Sequence, residues 1–271
     1  MRIGVLAASS VANPDVIAPA SAFAAIAFPD VDLLFHPQCY AHEGHFAGSD
    51  AVRAAAFLEY ANDPSIDAIW FLRGGYGSNR ILGTIMPQLN EAARRKTYLG
   101  YSDVGFLLGA LYARRIGHPV HGPMAADIRR KDGDQTVARA LGWMARRDRQ
   151  GLEPGLNGQP SAAFNLSILA ALIGTPFCPD LADHVVIVEE VSEAMYAIDR
   201  MLFTLGNATQ LRSIAGIRLG AVTAVKDNDP EWGEPLDDMM QRWCRDLGVP
   251  YLGRAEIGHT QANRVVPFGI A

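Results

Sequence analysis

The run Ala68-Ile69-Trp70-Phe71-Leu72 is apolar throughout, with Asn62-Asp63-Pro64 ahead of it and Arg73-Gly74-Gly75 behind it. A strand with no polar face must be covered on both sides. The usual solution is a parallel sheet with helices packed on each face. The rest of the first half follows the same logic. Residues 2–8, 31–35, 68–72 and 97–101 read as strands, and residues 16–28, 51–61 and 103–115 as helices. Ser49-Asp50 is placed to cap the second helix, and Gly117 and Pro119 to end the third. This alternation predicts an α/β fold.

The pattern changes near Arg149. Residues 150–160 carry three glycines and two prolines and read as a linker. The expected division is residues 1–149, a linker over 150–162, and a second domain over 163–271. In that second part, 165–172, 194–205 and 236–247 read as helices. Residues 184–190, 217–225 and 249–252 read as strands.

Bulk properties exclude several classes. The chain has 271 residues, 49% hydrophobic and 20% charged, the balance of an ordinary globular protein. A net charge of −5 argues against a nucleic-acid partner, which calls for a basic field. Three cysteines, Cys39, Cys178 and Cys244, are odd in number and widely spaced, which favours a reducing compartment over a disulfide framework. The first apolar stretch is too short for a signal peptide, and no run reaches the ~18 apolar residues of a membrane span. A cytoplasmic protein without a membrane anchor is expected. His36, His42 and His45 fit no zinc template, so no metal is expected. Asp199-Arg200, on an otherwise apolar helix, reads as a structural ion pair at the domain junction.

Four segments could carry chemistry. In Gly100-Tyr101-Ser102-Asp103 a buried strand gives way to a helix, so Ser102 projects from the carboxyl edge of the sheet, where open α/β sheets place ligands. The helix start behind it offers free N–H groups. Read alone, Ser102 fits an N-cap better than a nucleophile, since caps greatly outnumber nucleophiles. Arg73-Gly74-Gly75-Tyr76-Gly77 can turn tightly and aim backbone N–H groups at a ligand, or can be a plain strand-to-helix turn. Glu189-Glu190 ends an apolar strand, and His259 lies in a turn-prone stretch. Together they supply a nucleophile, a base, a carboxylate and backbone donors, the set that acyl transfer needs.

With these residues in view, the chain resembles the L,D-carboxypeptidase family of serine peptidases, which also contains microcin-immunity peptidases. The matching segments are Phe46-Ala47-Gly48-Ser49-Asp50, Arg73-Gly74-Gly75-Tyr76-Gly77, Gly100-Tyr101-Ser102-Asp103, His121-Gly122-Pro123-Met124, Asn165-Leu166-Ser167, Gly174-Thr175-Pro176, 196–202, and Gly258-His259 with Asn263 and Pro267. They keep the family's order over nearly the whole chain. The resemblance implies a Rossmann-like N-terminal domain carrying the nucleophile Ser102. It also implies a smaller β-rich C-terminal domain carrying Glu189 and His259, with a cleft between the two and a homodimer. The oxyanion donors it implies are the N–H groups of Asp103 and Gly75, with Gly74 as the alternative.

The implied activity needs no cofactor. It is hydrolysis of the L,D-peptide bond that releases D-alanine from murein tetrapeptide in peptidoglycan recycling. Hydrolysis of peptidyl or aminoacyl nucleotides is the alternative within the family. A nucleotide- or sugar-phosphate-binding module is the alternative outside the enzymes. Three departures bear on the substrate. Ala163-Phe164-Asn165-Leu166 stands where Gly-Gly-Asn-Leu is frequent, so Phe164 is expected to reshape the pocket if that turn meets substrate. Glu190 stands where aspartate is frequent, and the chain runs four residues past Pro267. The assignment also predicts an uncommon backbone conformation at Ser102, with its hydroxyl at or somewhat beyond hydrogen-bond distance of His259.

Overall fold

In the computed structural model, which describes residues 1–270, the first half alternates strand and helix. Its elements are β1 (Arg2–Leu6), α1 (Ile17–Ala27), β2 (Asp32–Phe35), α2 (Asp50–Asn62), β3 (Ala68–Phe71), α3 (Leu82–Ile85), β4 (Thr97–Gly100), α4 (Gly105–Ala113), β5 (His118–His121) and α5 (Gly133–Arg146). The second half contributes β6 (Ser161–Asn165), α6 (Leu166–Leu172), β7 (Val185–Val191), α7 (Met195–Asn207), β8 (Gly216–Thr223), α8 (Leu236–Leu247), β9 (Tyr251–Arg254) and β10 (Val266–Pro267).

Two sheets result. The first has the order β10-β5-β4-β3-β1-β2 and is parallel except at β10, which runs antiparallel to β5. The second has the order β6-β7-β8-β9 and is parallel throughout. The mixed α/β class is therefore as expected. Among the described residues, no helix is long and apolar enough to cross a membrane.

The apolar run in β3 is buried at every position, and its residues alternate between the faces of the sheet. Ala68 and Trp70 pack with Ile3 and Val5 into one core, while Ile69 and Phe71 pack with Leu6 into the other. Strand periodicity sends successive side chains to opposite faces, so one run feeds both layers. The second core continues into the other sheet through Phe164, Val186 and Val188, which makes one hydrophobic mass of the junction. There α4 and α6 approach closely. A β-carbon at Gly109 would sit 2.9 Å from Leu172 Cδ1 and 3.4 Å from Phe164 Cε1, so the glycine makes the room that Phe164 fills.

Three elements differ from the sequence reading. Pro119 lies inside β5, where it reads as a stop. A proline cannot donate to a ladder. Its neighbour β10 is only two residues long, and what Pro119 supplies is an acceptor, for Phe268 N–H at 3.0 Å. The helix α5 starts after Asp132, which is left-handed and makes no capping bond, so the usual start signal is missing. The strand β6, Ser161–Asn165, contains two alanines and little β-propensity. The segment between α5 and β6 is anchored through buried Glu153, which accepts from Arg218 Nη1 at 2.5 Å.

Phe164 is fully buried and stacks edge-on against Phe268 at 5.1 Å between centroids. It is a core residue at the junction of the two sheets and does not reach the cleft described below, which corrects the expectation that it could reshape the pocket. Phe164→Ala is expected to destabilise the fold by about 3–5 kcal/mol, the range for deleting a fully buried aromatic. Urea denaturation measures it, and a loss under about 1 kcal/mol would contradict this packing role.

Candidate active site

The strand β4 ends at Gly100, and a short 3-10 turn over Ser102–Val104 leads directly into α4. Going from strand to helix in so few residues puts Ser102 at φ 59°, in the left-handed region. A non-glycine residue is held there at a cost of about 1–3 kcal/mol. Tyr101 occupies the N-cap position, and no side chain makes a capping bond there. Helix capping therefore does not account for Ser102.

The residue after it pins the surrounding loops. Asp103 is buried, and its carboxylate accepts from Ser9 Oγ at 2.5 Å and from the N–H groups of Ser78 at 2.9 Å and Gly77 at 3.3 Å. Its carbonyl accepts from Ser78 Oγ at 2.6 Å. The serine turn and the glycine turn are thus clamped to each other. Ser10 fixes the glycine turn from the other side, its hydroxyl donating to the Gly74 carbonyl at 2.8 Å. In a trans peptide the N–H points opposite to the C=O, so the Gly75 N–H is directed away from Ser10. Neither it nor the Asp103 N–H donates to any group among the described residues. A glycine is required at Gly75, and Gly74 allows the close approach of the serine turn. Gly75 has φ 107°, and a β-carbon on it would fall 2.0 Å from Ser10 Oγ. A β-carbon on Gly74 would stand 3.2 Å from Ser102 Oγ and 3.4 Å from Asp103 N.

The two other expected residues meet each other. His259 Nδ1 lies 2.8 Å from Glu189 Oε2. A carboxylate only accepts, so Nδ1 carries a proton, and in the neutral ring that leaves the lone pair on Nε2. Glu189 is fully buried, and its Oε1 has no partner among the described residues. Glu190 differs. It accepts from Asn165 Nδ2 at 2.8 Å, from Val191 N–H at 2.8 Å and from Ser167 N–H at 2.9 Å. It therefore secures the start of α6. Burial pushes its carboxyl above the ordinary range, and those bonds oppose the rise.

Ser102 and His259 line one cleft of about 340 Å³, together with Gly74, Gly75 and Val191. No hydrogen bond joins Ser102 to His259; what the two share is the lining of this cleft. The Ser102 hydroxyl and the His259 imidazole on one cleft, with Glu189 bonded to the ring and uncommitted N–H groups at Gly75 and Asp103 in the adjoining turns, are a set that can perform acyl transfer.

Several residues that sequence reasoning did not single out hold this arrangement. Arg130 donates from Nη1 to the His259 carbonyl at 3.0 Å, from Nη2 to Tyr101 Oη at 3.2 Å and from Nε to buried Asp127 at 2.6 Å. Asn263 Oδ1 accepts the Gly258 N–H at 3.0 Å and stands 3.3 Å from His121 Nε2. The histidine loop is thereby tied at two points to the first sheet's layer. His121 and Asn263 do occur in the family segments. Arg130, in Arg129-Arg130-Lys131, lies in none of those segments.

The features set aside lie elsewhere. Among the described residues, no three histidine, cysteine or acidic side chains are grouped to hold a metal ion. His36 pairs with Glu59, and burial pushes the Cys39 thiol up to about 12. The partner of Asp199 is Arg242 Nη2 of α8 at 2.8 Å, with Trp243 Nε1 at 2.7 Å. This corrects the Asp199–Arg200 reading: Arg200 lies over the Tyr196 ring, because adjacent helix positions do not face each other.

Two family models match the chain: the LD-carboxypeptidase N-terminal domain over residues 3–122 and the LD-carboxypeptidase C-terminal domain over residues 162–271. A putative carboxypeptidase of Streptomyces coelicolor is 32% identical over 236 residues, covering 83% of this chain and 74% of that protein. The murein tetrapeptide carboxypeptidase of Pseudomonas aeruginosa is 26% identical, covering 94% of this chain and 90% of that protein. Among solved structures, muramoyltetrapeptide carboxypeptidase from Oxalobacter formigenes superposes with a TM-score of 0.78 at 21% identity, covering 99% of this chain and 93% of that one. The microcin C7 self-immunity protein does so at 0.80 and 18%, covering 99% and 91%. These two likenesses show the shared fold.

The burial of the His121 imidazole makes stability sensitive to acid. Burial above all, with the nearby His259 charge adding to it, lowers the His121 imidazole to about 3, against the opposing bond to Asn263. The unfolded chain takes up that proton near its ordinary value of about 6.5. The folded chain does so only at the lower value, so acid favours unfolding between the two. The melting temperature is expected to fall as pH drops from about 6.5 toward 4. His121→Gln, which keeps a donor for Asn263 and cannot titrate, should flatten that limb. An unchanged slope in the variant would show that His121 is not the sensor.

Proposed function

Because the chain belongs to the LD-carboxypeptidase family, we propose that it is a serine carboxypeptidase in which Ser102, His259 and Glu189 form the catalytic triad. The observation that carries this reading is the 2.8 Å His259–Glu189 bond opening onto the cleft that the strained Ser102 lines.

A serine hydroxyl is a poor nucleophile while protonated. In the proposed reaction His259 Nε2 takes the Ser102 proton as Oγ attacks the scissile carbonyl. The negative charge that develops on the carbonyl oxygen is received by the N–H groups of Asp103 and Gly75. Backbone donors fixed in advance stabilise that charge without reorganising. His259 then returns the proton to the leaving amine, and an acyl-enzyme on Ser102 remains. Water, deprotonated by the same imidazole, hydrolyses it. Glu189 holds the Nδ1 tautomer and stabilises the imidazolium in both steps.

The proposed substrate is a murein tetrapeptide, with the L,D-bond to the terminal D-alanine as the bond cut. Support comes from the relatives named for murein peptides. The proposed compartment is the cytoplasm, in keeping with three cysteines that are all free. A homodimer rests on the family resemblance alone. The triad chemistry would serve a peptidyl nucleotide equally, so substrate choice needs its own assay.

Ser102→Ala and His259→Ala should each remove nearly all turnover, and the double variant should be little worse, because the pair acts as a unit. Glu189→Gln should cost orders of magnitude and Glu190→Gln far less, measured as kcat. A larger loss at Glu190 would move the carboxylate role by one position. In substrate terms, D-alanine should be released efficiently from a tetrapeptide ending in diaminopimelate-D-alanine. The L-alanine diastereomer should react about 100-fold more slowly or worse, since a misplacement near 1 Å costs that much. Equal rates on both, or turnover of aminoacyl nucleotides alone, would overturn the tetrapeptide while leaving the serine mechanism in place.

A further inference from the structure

A carboxypeptidase substrate brings a free carboxylate into its cleft, and that charge loses water as it enters. Removing a carboxylate from water is costly unless a cation or several donors replace the solvent. Two cationic side chains line the cleft, Arg73 and Arg130. Arg130 is already committed: Nε bonds Asp127, Nη1 the His259 carbonyl and Nη2 Tyr101. Its charge is balanced by the Asp127 carboxylate at 2.6 Å.

Arg73 is in the opposite condition. Its Nη1 donates to the Val11 carbonyl at 2.7 Å, which orients the guanidinium. Its Nε and Nη2 make no hydrogen bond among the described residues, and no acidic side chain pairs with it. Arg73 also immediately precedes Gly74-Gly75, so its charge rides on the turn that faces Ser102. The cleft therefore holds one unneutralised, partly anchored cation with planar donors to spare. That donor geometry matches a carboxylate.

We propose that Arg73 is the specificity-determining residue that recognises the free terminal carboxylate of the substrate. This rests on the reading of the cleft as a carboxypeptidase active site. It predicts a preference for the free acid at the scissile end, and it leaves Arg130 as a positioning residue for His259.

The test is equilibrium binding to the Ser102→Ala protein, in which turnover cannot obscure the measurement. The probes are a tetrapeptide ending in D-alanine and the same peptide ending in D-alaninamide. The acid should bind more tightly than the amide by about 10–100-fold, the range for a charge-assisted bond. Adding Arg73→Gln should remove that preference by weakening the acid while the amide changes little. Arg73→Lys should restore part of it. Distortion of the glycine turn would weaken both probes equally, so the ratio separates recognition from structure. A ratio unchanged by Arg73→Gln, or no preference for the acid in the parent, overturns the assignment. D-Alanine release by the wild type alongside an unchanged ratio removes Arg73 and keeps the serine mechanism. A preference that is lost on Arg73→Gln, in a protein whose turnover survives Ser102→Ala, does the reverse.

Discussion

The buried carboxylate of Asp103 is the contact on which the cleft depends. It sits one residue after Ser102 and gathers three chain segments: the loop after β1 through Ser9, the glycine turn through Gly77 and Ser78, and the start of α4 through its own backbone. A buried charge is tolerated when hydrogen bonds replace its hydration. Here those same bonds set the distance between the glycine turn and the serine turn. The left-handed conformation at Ser102 persists because its neighbours on both sides are fixed, Tyr101 through Asp127 and Arg130, and Asp103 through the segments it gathers. Local strain at the half-buried serine is thus carried by satisfied polar groups beneath it.

The second constraint is placement of His259 relative to that serine. Glu189 and His259 come from β7 and the loop after β9, in the layer of the second sheet. Ser102 comes from the end of β4 in the first. Three devices hold the layers together. Gly105 and Gly109 let α4 pack closely on Phe164 and α6. Arg130 reaches from the loop after β5 to the His259 carbonyl. β10 pairs with β5 and returns the chain's end to the first sheet, with Asn263 just ahead of it contacting His121. The apolar junction supplies the cohesion, and the polar contacts set the register of the histidine loop.

The two adjacent glutamates show how burial and bonding divide labour. Glu190 has partners for both oxygens and serves the helix start, whereas Glu189 bonds one imidazole and leaves its other oxygen unmatched. A strand sends neighbouring side chains to opposite faces, so only one of the two can point toward the histidine. Sequence order alone could name the pair; the pleat assigns the members.

Much was legible in the sequence because it rests on local or periodic physics. The buried run of β3 demanded a sheet covered on both faces. Ser49 marked the start of α2, and the strand-to-helix change placed Ser102 at a sheet edge. The family resemblance implied Glu189 and His259 together, and the two do meet in one hydrogen bond. What the sequence left open depends on contacts between distant segments. Pro119 belongs to a strand only because a two-residue strand from the far end of the chain lies beside it. Phe164 is core because two glycines on another helix make room for it. Asp199 finds Arg242, and Arg130 finds a histidine carbonyl 129 positions away. The sequence by itself determined the α/β layering and the residues able to do chemistry, since periodicity and local turns are written in neighbouring residues. Tertiary structure decided which of them converge and which cation is left free, because packing and hydrogen-bond satisfaction are settled only when distant segments meet.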